Sequence, residues 1–138
     1  MTLFKKMHSM GADFVIFDGR MSNILFSQAQ IQHICHRKEG IGADKLVILE
    51  ISEGFQETSF MRIYNSDGTQ TEVSREEVRC VAELLMAEED TKTIVVETVS
   101  GLINCHRRED GLIELDISND DNAAPVSYVF EGKLLDIV

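Results

Sequence analysis

The chain has no apolar run of membrane-spanning length, no Cys-x-x-Cys pair and a single proline among its 138 residues. The first absence excludes a spanning helix, which needs about 20 consecutive apolar residues. The opening MTLFKKMHSM is too short and too charged to read as a signal peptide. Positive charge is scarce as well: 13 Lys and Arg against 24 Asp and Glu leave a net charge of −11. Such a surface repels phosphate backbones, so no nucleic-acid partner is expected. Cys35, Cys80 and Cys105 are odd in number, widely spread and fit no zinc pattern. Each falls in a helix or strand pattern, as a small buried hydrophobe would, and free thiols suit a reducing cytoplasm. The acidic clusters Glu83, Glu88, Glu89, Asp90 and Asp116, Asp120, Asp121 follow no calcium-loop spacing, so no metal is expected. Repeats and low-complexity tracts are missing.

What is present reads as one compact domain, residues 1–138, with 43% hydrophobic residues. Its organising stretch is Arg62 to Ala87, RIYNSDGTQTEVSREEVRCVAELLMA. Met61, Ile63 and Tyr64 open it as a strand. Asn65-Ser66-Asp67-Gly68 supplies a tight turn, and Thr69–Val73 a short return strand. From Ser74 the period becomes helical, with Val78, Val81, Ala82 and Leu85 on one face. Ser74 and Glu77 form S-x-x-E, a capping box in which serine accepts from the third amide and glutamate reaches back.

Before this stretch, Leu3–Met7 and Asp13–Asp18 read as strands around a turn at His8-Ser9-Met10-Gly11. A second box, Ser27 with Gln30, opens a helix that buries Ile31, Ile34 and Cys35 and runs to His36-Arg37-Lys38 and Gly40. Gly40-Ile41-Gly42 leads to a strand, Lys45–Glu50, and lacks the Gly-Lys-Ser/Thr of a phosphate-binding loop. After the central stretch come strands at Thr93–Thr98, Leu102–Arg107 and Leu112–Ser118, then a polar loop holding Pro125. Val126–Phe130 and Leu134–Val138 read as a last hairpin around Glu131-Gly132, which leaves an apolar edge. The class is α+β: a mostly antiparallel sheet with two helices.

Phe4-x-Lys6-Met7-His8, Gly11, Asp13-Phe14, Arg37, Gly40-Ile41-Gly42-x-Asp44, Arg62-Ile63-x-Asn65-x-Asp67-Gly68 and Arg79-Cys80 together resemble the N-terminal half of diaminopimelate epimerase. That family is a cofactor-independent isomerase of the lysine and peptidoglycan pathway, and phenazine-biosynthesis isomerases share its architecture. The resemblance implies a lobe whose curved sheet wraps one central helix, here the one starting at Ser74. It also implies a second, pseudo-symmetric lobe, with substrate held between the two and one cysteine at a helix N-terminus of each. A thiolate there is stabilised by the helix dipole, and glycines let bare amides approach the substrate carboxylate.

The sequence departs from that pattern where chemistry is implied. Cys-Gly-Asn-Gly-x-Arg-Cys reads here Ser74-Arg75-Glu76-Glu77-Val78-Arg79-Cys80. Ser74 stands at the nucleophile, and a hydroxyl is a far weaker carbon base than a thiolate. Arg75, Glu76 and Glu77 replace the glycine amides, and their carboxylates would repel an anionic substrate. Ala12 and Lys45 stand where the family has substrate-binding Asn and Gln, so Asn65 alone is retained. No cofactor is implied, and the second lobe lies outside these residues.

The expectation is a binding or interaction module without epimerase activity. The alternative is half an amino-acid epimerase, LL- to meso-diaminopimelate, completed by a C-terminal lobe on another chain. A third, hydrolytic use of Ser74 would need a base, for which His8 and His33 are candidates. An uncovered edge and cleft face lead to the further expectation of a homodimer.

Overall fold

The computed structural model describes residues 2–55, 57–116 and 122–134. Strand β1 (Thr2–Ser9) and β2 (Ala12–Asp18) pair in antiparallel fashion around Met10-Gly11. Both turn residues have positive φ, 53° and 84°, as a two-residue turn matching strand twist requires. Two residues suffice, so His8 and Ser9 belong to β1 and not to the turn that the sequence suggests.

Helix α1 (Gln28–Cys35) opens on the Ser27 box: the Gln30 amide donates to Ser27 Oγ at 3.1 Å, and the Ser27 amide to Gln30 Oε1 at 2.8 Å. It stops at Cys35, short of Gly40, because His36 Nδ1 accepts the Lys38 and Glu39 amides and turns the chain away. Then follow β3 (Lys45–Ile51), β4 (Ser59–Asn65), β5 (Gln70–Thr71), helix α2 (Arg75–Glu89), β6 (Thr93–Thr98), β7 (Gly101–Arg107), β8 (Ile113–Leu115) and β9 (Ser127–Leu134).

The strands form one sheet in the order β8-β7-β6-β4-β3-β2-β1-β9, with β5 attached to β4. Only β2–β3 and β4–β6 are parallel; these are the two places where a helix carries the chain across. Because β2 and β4 run in opposite directions while the sheet grows the same way, right-handed crossovers put α1 and α2 on opposite faces. The cores show this. Phe14, Ile16, Val47, Leu49, Met61 and Ile63 pack with α2, whereas Val15, Phe17, Leu46 and Ile48 pack with α1. Strands β2 and β3 are covered on both sides, so they read as continuous apolar runs.

The sheet curls around α2, which touches β1, β2, β6 and β8. Val78, Val81, Ala82, Leu85 and Met86 are all buried there, and each large apolar side chain so buried contributes about 1.5–3 kcal/mol. This is the α+β lobe expected from the sequence.

The end of the chain differs from expectation. Glu131-Gly132 is not a turn; β9 runs straight through it, paired with β1 from Thr2–Leu134 to His8–Ser127, with one register shift between Lys6 and Met7, where Val129 is left over. Gly132 is needed for space, since a Cβ there would meet the Phe4 ring at 3.0 Å. Residues 135–138 of the expected last strand, and 117–118 of the strand before it, lie outside the described residues. Among the described residues, no helix is long and apolar enough to cross a membrane.

Candidate functional site at the mouth of the central helix

One rim of the sheet gathers most of the residues singled out from sequence. Ala12 starts β2 opposite Ser9, Lys45 starts β3 opposite Phe14, and Asn65 ends β4 opposite Lys45. The short link through β5 then delivers Ser74 and α2 to the same end. Three, Ser74, Lys45 and Asn65, are joined through bonds or register; Ala12 packs against the α2 core. Arg75 points to solvent, and Glu76 is half-buried.

At the centre is Glu77. Ser74, extended at φ −114° and ψ 170°, is the N-cap of α2. Its amide donates to Glu77 Oε2 at 3.1 Å, and its hydroxyl donates to the same oxygen. Lys45 Nζ lies 3.0 Å from Oε1, with the glutamate side chain 0% exposed and the lysine 26%. The ammonium meets Oε1 as an ion pair, off the line of a directed hydrogen bond. A buried carboxylate thus sits at the positive end of the α2 dipole, where the first amides of a helix have no partner within the helix. This is the kind of place where a ligand carboxylate would otherwise bind.

Behind the rim, Asp13, Arg37 and Asp44 form a latch. Arg37 grips Asp13 with two bonds of 2.7 and 2.8 Å and reaches Asp44 at 3.1 Å. The Asp13 and Asp44 amides donate to each other's carboxylates, each at 2.9 Å, and Lys6 Nζ is 3.2 Å from Asp13. The Arg37 guanidinium holds the Asp13 carboxyl far below the ordinary range. The latch fixes the residue before Lys45, so it positions the rim and leaves no free group for chemistry.

Asn65 is committed to its own turn. Its Nδ2 donates to Thr69 Oγ1 at 3.1 Å and its backbone amide to the Thr69 carbonyl at 2.8 Å. Gln28 and Gln32 of α1 clasp that turn through the Asp67 carbonyl, at 3.1 and 2.8 Å. Cys80 is wholly buried, and burial pushes its thiol up to about 12. The same cause lifts Cys105 to about 12 and Cys35 to about 11. None of the three supplies a thiolate near neutral pH.

Two candidates are not brought together with Ser74. His33 is exposed on α1, across the sheet from α2, and exposed His8 lies in register with Asp13. The Ser74 hydroxyl donates to Glu77, so the hydrolytic arrangement does not assemble.

Sequence reasoning did not give Glu77 a central place among the site residues, although the Ser74-x-x-Glu77 spacing marked it as a cap. Nor did it connect Asp13, Arg37 and Asp44, which stand 24 and 31 positions apart. It quoted Arg79 within the resemblance and gave it no role; its buried guanidinium donates to the Asn122 carbonyl. Asn122 in turn bonds both backbone groups of Leu115 at 2.7 Å and so ties β8 to α2.

The profile of the family described as diaminopimelate epimerase matches residues 4–122. The diaminopimelate epimerase of Rhodospirillum centenum is 36% identical over 83% of this chain and 39% of its own length. That of Rhizorhabdus wittichii is 32% identical over 97% of this chain and 47% of its own. The chain thus spans less than half the length of these relatives. Among solved structures, a methylitaconate-delta-isomerase superposes with a TM-score of 0.67 at 11% identity, covering 95% of this chain and 93% of that one. A hydroxyproline epimerase from Agrobacterium vitis, with bound trans-4-hydroxy-L-proline, gives 0.61 at 14% identity, covering 83% and 40%. Those two likenesses concern the fold.

Proposed function

This chain belongs to the diaminopimelate epimerase family, and we propose that its lobe serves as a binding or interaction module that does not epimerise amino acids by itself. The observation that carries this is the Glu77 carboxylate, buried at the N-terminus of α2 between Ser74 and Lys45. A substrate carboxylate would have to displace an internal one already paired with an ammonium. Carbon-acid chemistry needs a strong, desolvated base, and Ser74 offers a hydroxyl whose proton is directed at that same Glu77. The buried thiol of Cys80 supports the same view, since its proton is held to about 12.

A second function has one observation in its favour. Ala12, Lys45, Asn65 and Ser74, the positions that the resemblance assigns to substrate and catalysis, meet at one rim. A half-site completed by a C-terminal lobe on another chain would use that rim.

Incubating the protein with LL- and meso-diaminopimelate in deuterium oxide separates the two. The module predicts no deuterium at the α-carbons above an enzyme-free blank, with or without an added C-terminal lobe of a relative. Exchange that appears only with the added lobe supports the half-site, and exchange by the chain alone contradicts the proposal outright.

A further inference from the structure

Between the last two turns of α2 and the strands β1 and β9 lies an open cavity of about 630 Å³, a size typical of small-molecule sites. Its floor is apolar: Leu84 and Ala87 of α2 meet Ile16 of β2 and Leu49 of β3 there. Ala87 is about 20 Å along the helix from Ser74, so the cavity is separate from the rim. Charge is divided between its two ends. At one, Arg20 binds Asp18 through bonds of 2.9 and 2.8 Å and Glu88 at 2.7 Å, so both acids are engaged. At the other, β1 and β9 set Lys5 opposite Glu131 and Leu3 opposite Lys133. Opposite residues of paired strands share a face, so both lysines stand on the cavity side. Among the described residues neither lysine has an ion-pair partner, and Lys5 Nζ lies 5.9 Å from the centre of the Tyr128 ring. Two ammoniums therefore stand with one carboxylate, Glu131, and this end is locally positive on a chain of net charge −11.

We propose that this cavity binds a small amphipathic monocarboxylate, with its carboxylate between Lys5 and Lys133 and its hydrocarbon part over Leu84 and Ala87. The orientation follows from the charges. The carbonyl end of α2 carries partial negative charge, and its last turn holds no basic residue to offset it. An anionic head is therefore repelled from the helix end and drawn to the lysines. An ammonium head would find only Glu131, with two ammoniums beside it. The positive surplus is a single charge, so one carboxylate is matched, whereas a dianion would meet the repulsion of the whole chain. Exposed ion pairs are individually weak, so the hydrocarbon supplies most of the affinity and the lysines select the sign of the head. Nothing in this site depends on chemistry at Ser74.

Octanoate, held below its micellar concentration, and octanol serve as probes, read by nitrogen–proton correlation spectra of the whole chain. Octanoate should give saturable shifts at the amides of Lys5, Leu84, Ala87 and Tyr128. Lys5→Gln/Lys133→Gln should weaken octanoate by about fivefold or more, the loss of two exposed ion pairs. The same variant should bind octanol as the native chain does, which also shows that it is folded. Ala87→Trp places a ring over the apolar floor and should weaken both probes, with the spectrum elsewhere unchanged. The proposal is overturned if octanoate shifts none of the four amides, or if its affinity survives the loss of both lysines. Probes that bind as well to Ala87→Trp overturn it too. Shifts confined to Arg75, Glu76 and Glu77 also overturn it, and they would count separately against the closed rim.

Discussion

Lys45 Nζ lies 3.0 Å from Glu77 Oε1, across the seam between the first residue of β3 and the first turn of α2. Because none of the Glu77 side chain reaches solvent, removing the ammonium leaves a buried carboxylate without its counter-charge. Breaking a buried pair from one side costs about 3–5 kcal/mol, and the partial exposure of Lys45 lowers this to about 2–3 kcal/mol. Lys45→Met should show that loss in urea unfolding, and Lys45→Met/Glu77→Gln should recover much of it. A Lys45→Met variant as stable as the native chain would mean that water, not lysine, neutralises Glu77.

Ser74→Ala removes the N-cap side chain and should cost about 1 kcal/mol, with Glu77→Ala costing at least as much. Both changes act on one helix end, so the double variant should lose less than the sum. Strict additivity in the double-mutant cycle would show that the two side chains do not act as a unit.

The Asp13 latch makes stability depend on acid. Arg37 holds the folded Asp13 carboxyl well below its unfolded value. A depressed carboxylate contributes its full stability above the unfolded pKa, about 3.9. That contribution falls away as pH drops further towards the folded value. Thermal melts between neutral pH and strong acid should therefore fall steeply below about pH 4. Asp13→Asn should lie lower at neutral pH and show a shallower acid slope. Asp18, lowered by Arg20, and Asp67, lowered by Thr69, retain part of that slope in the variant.

The three cysteines are buried with raised thiols. An aromatic disulfide reagent near neutral pH should find almost no reactive thiol in the folded chain and all three after denaturation. Rapid reaction of one thiol in the native state would contradict the inert role given to Cys80.

Local chemistry made most of this lobe legible. The Ser27 box, the Asp67-Gly68 turn and the helical face Val78-Val81-Ala82-Leu85 depend on neighbours within a few residues, and they lie where the sequence puts them. The run Phe14–Phe17 is apolar throughout because helices cover both faces of β2, and such a run is visible in sequence. Gly132 was misread because a glycine after a glutamate looks like a turn, whereas its reason is the Phe4 ring on a strand more than a hundred residues away. The site was half legible. Spacing brings out Ser74 with Glu77, but only the register of β3 against β4 and the arrival of α2 beside it show that Lys45 neutralises that glutamate. The same holds for Asp13, Arg37 and Asp44, whose grouping requires the crossover through α1.

Ser74→Cys separates nucleophile from occlusion. A thiol at the N-terminus of α2 gains the dipole's help in ionising, yet Glu77 still fills the place of a substrate carboxylate. The variant should therefore show no α-proton exchange on diaminopimelate. Exchange after this one change would leave the hydroxyl as the only barrier.

The most direct measurement is a nitrogen–proton correlation spectrum of the folded chain titrated with meso-diaminopimelate to millimolar concentration. With Glu77 seated at the helix N-terminus, the amides of Arg75, Glu76 and Glu77 should not move. In Glu77→Gly, with those amides uncovered, they should shift on titration. Saturable shifts at the same three amides in the native chain would contradict the account, because a ligand carboxylate would then be entering a site that Glu77 is held to close.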